Sequence, residues 1–167
     1  MDTIKTEIVV VGAGPGGYAA AFYAADLGKQ VILIEREKRL GGVCLNRGCI
    51  PSKALLYATH QIVNARESAH RGITFTEPTL DLNKLRVWKE SIIDKLGNGV
   101  ATLAKMRNVT VIKGRAYFEG SQRLRVETEQ GQQFVEYDKH SRRGFQRGHA
   151  QGIRFGQPAR HEQHRRA

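Results

Sequence analysis

The stretch TEIVVVGAGPGGYAAAFYAADLGKQVILIE, residues 6–35, decides the fold of this 167-residue chain. An unbroken apolar run from Ile8 to Val11 is typical of a strand buried on both faces in a parallel sheet. Glycines follow directly and lead into an alanine-rich helix that is expected to end near Gly28. A second apolar run, Val31 to Ile34, predicts a second strand, so the chain begins with a βαβ unit.

The glycines after the first strand form the pattern GxGxxG at Gly12, Gly14 and Gly17. In such a loop the first glycine permits a tight turn, the second lets the backbone approach a pyrophosphate, and the third allows close packing of helix on strand. Glu35 follows Gly17 by 18 residues, at a position where a carboxylate accepts hydrogen bonds from both ribose hydroxyls. A glycine-rich turn without a ligand is the alternative, and the strand–turn–helix context favours dinucleotide binding.

Both cysteines of the chain, Cys44 and Cys49, lie in the stretch GGVCLNRGCIPSK, residues 41–53. A zinc site needs four ligands, and His60 and His70 do not have the matching spacing, so no metal site is predicted. The sequence leaves two interpretations, a redox-active pair or two buried thiols that lie near each other by chance.

A helix that begins around Ile50 or Pro51 would place Cys49 at its N-terminus, where the helix dipole stabilises a thiolate. Proline suits the first helical turn because its missing N–H costs nothing there. The glycines on either side permit the bends of a small loop that brings the two sulfurs together. These features favour the redox-active pair.

The remaining sequence up to Asp138 predicts further helices and strands. Residues 54–70 have helical spacing, NVTVIKG (108–114) reads as a third strand of the sheet, and three segments between 115 and 138 predict a small antiparallel meander. A long helix from 81 to 107 is predicted by apolar residues on one side, namely Leu82, Leu85, Trp88, Ile92, Leu96, Val100, Leu103 and Met106.

The charge of the chain is concentrated at its end. Of the net charge of +11, the last 29 residues, 139–167, contribute +7 through eight Lys or Arg and one acid. This segment has no period of 2 or 3.6 and few aliphatic residues, so we expect it to be a disordered basic tail. Apart from this tail the composition is that of an ordinary α/β protein, with 40% hydrophobic residues.

No apolar run approaches membrane-spanning length, and MDTIKTE is not typical of a secretion signal. We therefore expect a cytoplasmic protein. A reducing cytosol does not maintain structural disulfides, which again favours a redox role for the two cysteines.

The stretch GGVCLNRGCIPSK, with GAGPGG upstream and Glu35 between them, resembles the dihydrolipoamide dehydrogenase family of flavoprotein disulfide oxidoreductases. Leu45, Asn46, Ile50 and Ser52 favour this family over the glutathione and mercuric reductases, which remain the alternative. The resemblance extends from about Thr6 to Asp138. It implies an α/β fold with a Rossmann-like FAD-binding sheet, a helical layer and a small antiparallel meander.

The resemblance implies bound FAD and NAD as co-substrate. It places Cys49 against the flavin, Cys44 toward the substrate, and Lys53 one helical turn after Cys49, near the flavin. The implied catalytic residues are Cys44, Cys49 and Lys53, and the implied FAD-binding residues are Gly12, Gly14, Gly17, Glu35, Gly42, Lys53, Gly114 and Ala116.

The resemblance further implies a homodimer whose substrate is the lipoyl group of a 2-oxo acid dehydrogenase complex, such as the pyruvate or 2-oxoglutarate complex. A thiolate of dihydrolipoamide would attack the sulfur of Cys44 and a second thiol would resolve the mixed disulfide, which leaves Cys49 as a thiolate.

The resemblance stops after Asp138, where the family continues with an apolar strand and a second nucleotide-binding domain. The sequence divides into residues 1–138, the N-terminal part of an FAD-binding domain, and residues 139–167. A frameshift near Lys139 is one hypothesis, and the fragment alone is expected to be inactive. An alternative of another class is a polyanion-binding module that uses arginines of the tail such as Arg142, Arg143 and Arg147.

Overall fold

The computed structural model describes residues 3–142, which form one six-stranded sheet with four α-helices. In chain order the elements are β1 Thr3–Val11, α1 Pro15–Asp26, β2 Val31–Glu35, α2 Gly42–Arg47, α3 Cys49–Glu67, a 3-10 turn Ser68–Arg71, α4 Leu82–Met106, β3 Thr110–Lys113, β4 Arg115–Phe118, β5 Arg123–Thr128 and β6 Gly131–Arg142. None of the helices between residues 3 and 142 is long and apolar enough to cross a membrane.

The strands lie in the order β3-β2-β1-β6-β5-β4. The pairs β1–β2 and β2–β3 are parallel, and β4, β5 and β6 form an antiparallel meander. The predicted βαβ unit, third parallel strand and meander are therefore confirmed. The sequence did not predict that β6 would also pair with β1, in parallel, and so join the two halves into a single sheet.

Strand β6 continues four residues beyond the boundary that the composition suggested at Asp138. Lys139 lies opposite Ile8 and Arg142 lies opposite Val11 in the β1–β6 ladder. Backbone pairing requires no particular side chain, and β1 offers a row of backbone groups that must be satisfied. The first four residues of the predicted tail are therefore in a strand, whereas residues 143–167, the rest of the predicted disordered tail, lie outside the described residues.

The sheet has an apolar cluster on each face. On one face, α1 and α4 cover Val10, Leu33 and their neighbours. On the other, the meander packs Leu124, Val126 and Val135 against residues of the parallel strands. All five residues of β2 are buried, because the strand is covered on both sides, as its unbroken apolar run predicts.

Helix α4 has the predicted length but buries only part of the predicted apolar side, including Val100. The residues buried against the sheet are Ile93, Val100 and Ala104. Of the predicted apolar positions, Leu82, Leu96, Leu103 and Met106 are between 42% and 72% exposed. Several of the large apolar residues that define the predicted side therefore stay outside the core.

Candidate functional site

The glycine-rich loop closes through contacts that only glycine permits. Gly12 has φ 98°, in the left-handed region, and its N–H donates to the carbonyl of Ile34 at 2.8 Å. A Cβ on Gly17 would lie 1.8 Å from the carbonyl oxygen of Gly12. Helix α1 therefore packs directly against the end of β1, as the motif predicts.

Gly14, at the N-terminus of α1, is not required by the protein's own packing. Its φ and ψ are −71° and 177°, which any residue adopts, and a Cβ there would meet only the Cα of Gly42 at 4.0 Å. A glycine at this position leaves the backbone open to an approaching group. The free N–H groups of a helix N-terminus favour an anion such as a phosphate at that position.

Glu35 is buried, with 6% of its surface exposed, at the end of β2. One carboxylate oxygen, Oε2, accepts the N–H of Ala13 at 2.7 Å, and the other, Oε1, accepts the N–H of Glu37 at 2.9 Å. The carboxylate of Glu35 therefore holds the glycine-rich loop in place through the N–H of Ala13. Because a carboxylate has about four acceptor positions, two remain for a ligand, and the ribose contact of Glu35 stays a prediction.

Helix α2 is attached to the glycine-rich loop by its backbone. The N–H of Gly41 donates to the carbonyl of Ala13 at 2.8 Å, and a Cβ on Gly42 would lie 2.7 Å from the Cα of Gly14. Gly42 also has φ 63°. These contacts place Cys44, two residues beyond Gly42, next to the predicted nucleotide site.

The two cysteines lie on either side of a sharp break between helices. Cys44 is in α2 and half-buried, whereas Cys49 is the first residue of α3 and exposed. Gly48 separates the helices, and a Cβ on it would lie 3.1 Å from the carbonyl oxygen of Val43. The predicted position of Cys49 at a helix N-terminus is confirmed. The sequence did not predict that Cys44 would lie in a helix of its own.

The two thiols are hydrogen-bonded to each other, and this contact raises the pKa of Cys44 above its ordinary value. Partial burial and the charge of Cys49 raise that pKa further. The backbone N–H of Cys49 and the ammonium group of Lys53 act in the opposite direction. The protonated form of Cys44 is therefore favoured.

Lys53 lies in α3, four residues after Cys49, so the two side chains are on the same side of the helix. The positive charge of Lys53 also acts to lower the pKa of Cys44. The structure thus brings together all three predicted catalytic residues, Cys44, Cys49 and Lys53. Their roles in a reaction stay predictions.

The two predicted cofactor residues after β3 have different neighbours. The N–H of Gly114 donates to the carbonyl of Glu35 at 2.9 Å, and a Cβ there would lie 2.5 Å from the carbonyl oxygen of Glu127. Ala116 lies in β4, opposite Val126, and packs against the cluster beneath the meander. Gly114 is therefore adjacent to the Glu35 end of the site, and Ala116 lies two residues beyond it.

Asn46 is a site residue whose structural role the sequence did not indicate. Its Nδ2 donates to the carbonyls of Leu40 and Gly42, at 3.1 and 2.9 Å, and so ties α2 to the preceding turn. Its Oδ1 is buried without a hydrogen-bond partner in the part of the chain that the structure describes. The sequence shows only an asparagine between the two cysteines. Its role in holding α2 becomes visible only from the side-chain hydrogen bonds.

Within residues 3–142 no group of three or more His, Cys, Asp or Glu side chains lies close enough together to hold a metal ion. A dinucleotide-type glycine loop held against a hydrogen-bonded pair of thiols defines a class of protein, the nucleotide-dependent dithiol oxidoreductases.

Comparison with known proteins agrees with this class. The model of the pyridine nucleotide-disulphide oxidoreductase family matches residues 6–139. The chain therefore belongs to the pyridine nucleotide-disulphide oxidoreductase family.

Among curated relatives, the chain is 50% identical over 135 residues to a dihydrolipoyl dehydrogenase from Vibrio parahaemolyticus, which is 81% of this chain and 28% of that protein. It is 51% identical over 130 residues to one from Bacillus subtilis, 78% of this chain and 27% of that protein. The structure is also similar to the HOCl-induced flavoprotein disulfide reductase RclA from Escherichia coli, determined as a Cu(II) complex. The TM-score is 0.69 and the identity 29%, over 83% of this chain and 28% of that one. The chain thus spans less than a third of the length of these relatives.

Proposed function

We propose that this chain forms the FAD- and disulfide-bearing N-terminal part of a dihydrolipoyl dehydrogenase, which oxidises dihydrolipoamide with NAD⁺. The observation that carries the proposal is the attachment of α2 to the glycine-rich loop, through Gly41 and Gly42, which holds the thiol pair beside the nucleotide site. The 50% identity to dihydrolipoyl dehydrogenases, against 29% to RclA, supports the choice within the family.

The residues present fit a dinucleotide. Gly14 is a glycine that the fold itself does not require, and Glu35 retains acceptor positions beside it. Gly12, Gly14, Gly17 and Gly42 would hold the pyrophosphate, and Glu35 and Gly114 would hold the adenosine end. When bound, FAD supplies a two-electron acceptor for the reduced thiol pair.

The thiol pair performs the exchange with substrate. With Cys44 and Cys49 oxidised to a disulfide, a thiolate of dihydrolipoamide attacks the Cys44 sulfur and Cys49 leaves as a thiolate. The second substrate thiol then displaces Cys44, which takes up a proton, and lipoamide is released. The raised pKa of Cys44 suits this order, because Cys44 is the sulfur that ends protonated. Lys53 stabilises negative charge at the pair.

The same proposal includes a partner, a cellular location and an oligomeric state for the whole protein. Its partner would be the lipoyl group of a 2-oxo acid dehydrogenase complex in the cytoplasm, with a second copy of the full-length protein in a homodimer. The 167-residue chain alone is expected to show no NAD⁺-dependent turnover, since its sequence contains one GxGxxG loop and the proposed reaction uses two dinucleotides.

The test uses the purified 167-residue chain. We expect it to bind FAD, measured by the flavin absorbance that co-elutes with protein, and we expect its Cys44–Cys49 disulfide to be reduced faster by dihydrolipoamide than by glutathione. Thiol labelling followed by mass spectrometry counts the reduced cysteines. The Cys44→Ser and Cys49→Ser variants serve as controls that cannot form the disulfide.

A chain that folds but binds no FAD would contradict the nucleotide assignment. Faster reduction by glutathione would instead favour a glutathione reductase-like function. NADH production from dihydrolipoamide by the 167-residue chain would overturn the proposal that this part is inactive alone.

A further inference from the structure

A second pocket lies on the helix side of the edge strand β3, away from the glycine-rich loop. It has a volume of about 410 Å³, is open to solvent on one side, and is bordered by the segment after β2, by one side of α4 and by β3. Neither the glycine-rich loop nor Glu35 lines it. Its volume falls within the range of roughly 300–1,000 Å³ that is usual for small-molecule sites. We call it the α4–β3 groove.

The rim of the α4–β3 groove carries three lysines that form no ion pair with the residues that the structure describes. Lys38, Lys105 and Lys113 line it, and within residues 3–142 none of these three ammonium groups has a carboxylate at ion-pair distance. A fourth cation, Arg39, is neutralised by Glu90 and Asp94, at 3.3 and 2.7 Å. Like charges gathered around one space repel each other, and an anion placed between them would relieve that repulsion.

Lys113 is the most constrained of these lysines. Its Nζ donates to the carbonyl of Glu37 at 3.3 Å, so the ammonium group is held at the groove. Desolvation by its surroundings lowers the pKa of Lys113, although the buried carboxylate of Glu35 opposes that shift. A bound anion would stabilise the charged form of Lys113 further.

The floor of the groove is apolar. Its apolar lining is Leu40, Ala101, Val109 and Val111, of which Ala101 is exposed and Val111 half-buried, so these two residues offer apolar surface to a ligand. A ligand that carries only charge would gain nothing from this floor, whereas a ligand with a flat apolar part would gain by covering it.

Gly97 keeps the groove open in the middle of α4. Glycine in a helix interior is unfavourable, and here neither backbone nor packing requires it, since a Cβ would lie 4.0 Å from the nearest atom, the carbonyl oxygen of Leu40. Gly97 lines the groove, whereas Gly99, two residues on, does not. The absent side chain therefore leaves space in the groove and serves no other contact.

We propose that the α4–β3 groove is a second ligand site, distinct from the FAD site, which binds a phosphate monoester with a planar apolar group, such as a nucleoside monophosphate. The phosphate lies among Lys38, Lys105 and Lys113, and the planar group covers Ala101 and Val111. Lysine binds phosphate as a point charge, so three lysines suit a dianion without fixed geometry.

Calorimetric titration of the FAD-saturated 167-residue chain with AMP tests the proposal. We expect one AMP per chain, weaker binding of both inorganic phosphate and adenosine, and a loss of affinity with rising salt. The Lys38→Gln/Lys105→Gln variant is expected to bind AMP at least about tenfold more weakly. Lys95→Gln, on an exposed part of α4 outside the groove, is the matched control and is expected to bind AMP as the unaltered chain does.

A second pair of variants separates ligand binding from folding. Gly97→Ala is expected to raise the melting temperature, because alanine favours helix, and at the same time to weaken AMP binding. Gly99→Ala is expected to raise the melting temperature and leave AMP binding unchanged. A merely structural role for Gly97 would make the two variants behave alike.

Two results would overturn the proposal. If Gly14→Val abolishes AMP binding while Lys38→Gln/Lys105→Gln retains it, AMP binds at the glycine-rich loop. If AMP does not bind, or binds no more tightly than inorganic phosphate, the groove does not select a planar group. Phenyl phosphate, titrated in parallel, shows whether the base is recognised beyond its flat apolar surface. Binding of FAD is measured separately, from flavin absorbance, so that its failure is distinguished from a failure of AMP binding.

Discussion

The glycines of the site are required for different reasons, some for the packing of the fold and some to leave space for a ligand. Substitution of single glycines can separate these reasons. Gly14 has an ordinary backbone conformation and no atom closer than 4.0 Å to a Cβ placed on it. We expect Gly14→Ala to change the free energy of unfolding of the FAD-free chain by less than about 0.5 kcal/mol. The same variant should bind FAD at least about tenfold more weakly, because the methyl group occupies the space of the pyrophosphate. Urea unfolding and flavin titration measure the two effects.

Gly17→Ala is the matched comparison. Its Cβ would fall 1.8 Å from the backbone oxygen of Gly12. Because backbone cannot move aside as a flexible side chain does, we expect destabilisation at or above the range of about 1–3 kcal/mol usual for overpacking. If Gly14→Ala proved as destabilising as Gly17→Ala, the packing argument for an open cradle at Gly14 would be wrong.

The neighbours of Cys44 allow a prediction of how the removal of each one changes the pH at which Cys44 is alkylated. In Cys49→Ala the hydrogen bond that raises the Cys44 pKa most is lost, so that pKa falls and alkylation by iodoacetamide begins at lower pH. In Lys53→Met a charge that lowers this pKa is lost, so alkylation begins at higher pH. The measurement is the alkylation rate of Cys44 in the reduced chain as a function of pH, followed by peptide mass spectrometry.

The control for this experiment is Lys95→Met, because Lys95 does not contribute to the shift of the Cys44 pKa. Shifts of the alkylation profile in the same direction for Cys49→Ala and Lys53→Met would contradict the arrangement of the pair. The sign of each shift depends only on which neighbour is removed, so the result does not require an absolute pKa.

At the residue scale, most of the site could be predicted, because the chemistry of a nucleotide loop and a thiol pair requires particular residue types. Gly12, Gly17 and Glu35 are placed by local spacing alone. Helix α2 could not be predicted in the same way, since it is six residues long and has no side-chain cap. It is held by Asn46 and by contact with the glycine-rich loop, and such tertiary contacts leave no periodic signal.

Among the elements, α4 has a side-chain cap at its N-terminus. Oδ1 of Asp81 accepts the N–H groups of Asn83 and Lys84, both at 3.0 Å. Removal of this cap in Asp81→Ala is expected to cost about 0.5–2 kcal/mol. Asp81→Asn retains an acceptor and should cost less. Thermal unfolding followed by circular dichroism compares them, and equal losses would show that the cap hydrogen bonds contribute little.

Strand β6 carries a buried hydroxyl that the fold does not use. Tyr137 is 3% exposed, and its hydroxyl has no hydrogen-bond partner among the described residues. Burial accordingly raises the pKa of Tyr137. Because an unpaired buried polar group costs free energy, Tyr137→Phe is expected to be neutral or to raise the melting temperature. Leu124→Ala, in the same cluster, should cost about 2–5 kcal/mol. A clear loss of stability in Tyr137→Phe would mean that the hydroxyl does have a partner.

The face of α4 that is buried illustrates what an apolar pattern leaves undecided at the element scale. The spacing of large apolar residues correctly predicts a helix, but it does not determine which side packs on the sheet. The residues of α4 that pack in the core cluster are Ile93, Val100 and Ala104. Small residues such as Ala104 carry little weight in a hydrophobic pattern, so the sequence predicted the buried Val100 but not Ala104.

At the scale of the whole molecule, β6 joins the parallel strands and the antiparallel meander into one sheet. It pairs in parallel with β1 on one side and antiparallel with β5 on the other. The meander was predictable from its turns, but its attachment to β1 links residues more than a hundred positions apart, and no local pattern encodes that pairing. The position of Gly114 beside Glu35, and hence one end of the site, depends on the same sheet.

The role of the last four residues of β6 can be tested by comparing a chain that ends at Arg142 with one that ends at Asp138. Lys139–Arg142 pair with Ile8–Val11, directly before the glycine-rich loop. Without them, the backbone groups on that side of β1 lose their partners, and each buried unpaired group costs about 1–3 kcal/mol. We expect the shorter chain to melt at a lower temperature and to exchange the amide protons of β1 faster. Because β1 leads directly into Gly12 of the glycine-rich loop, the shorter chain should also retain less FAD. Equal melting temperatures and equal amide exchange would instead place the end of the folded unit at Asp138, where the composition of the sequence changes.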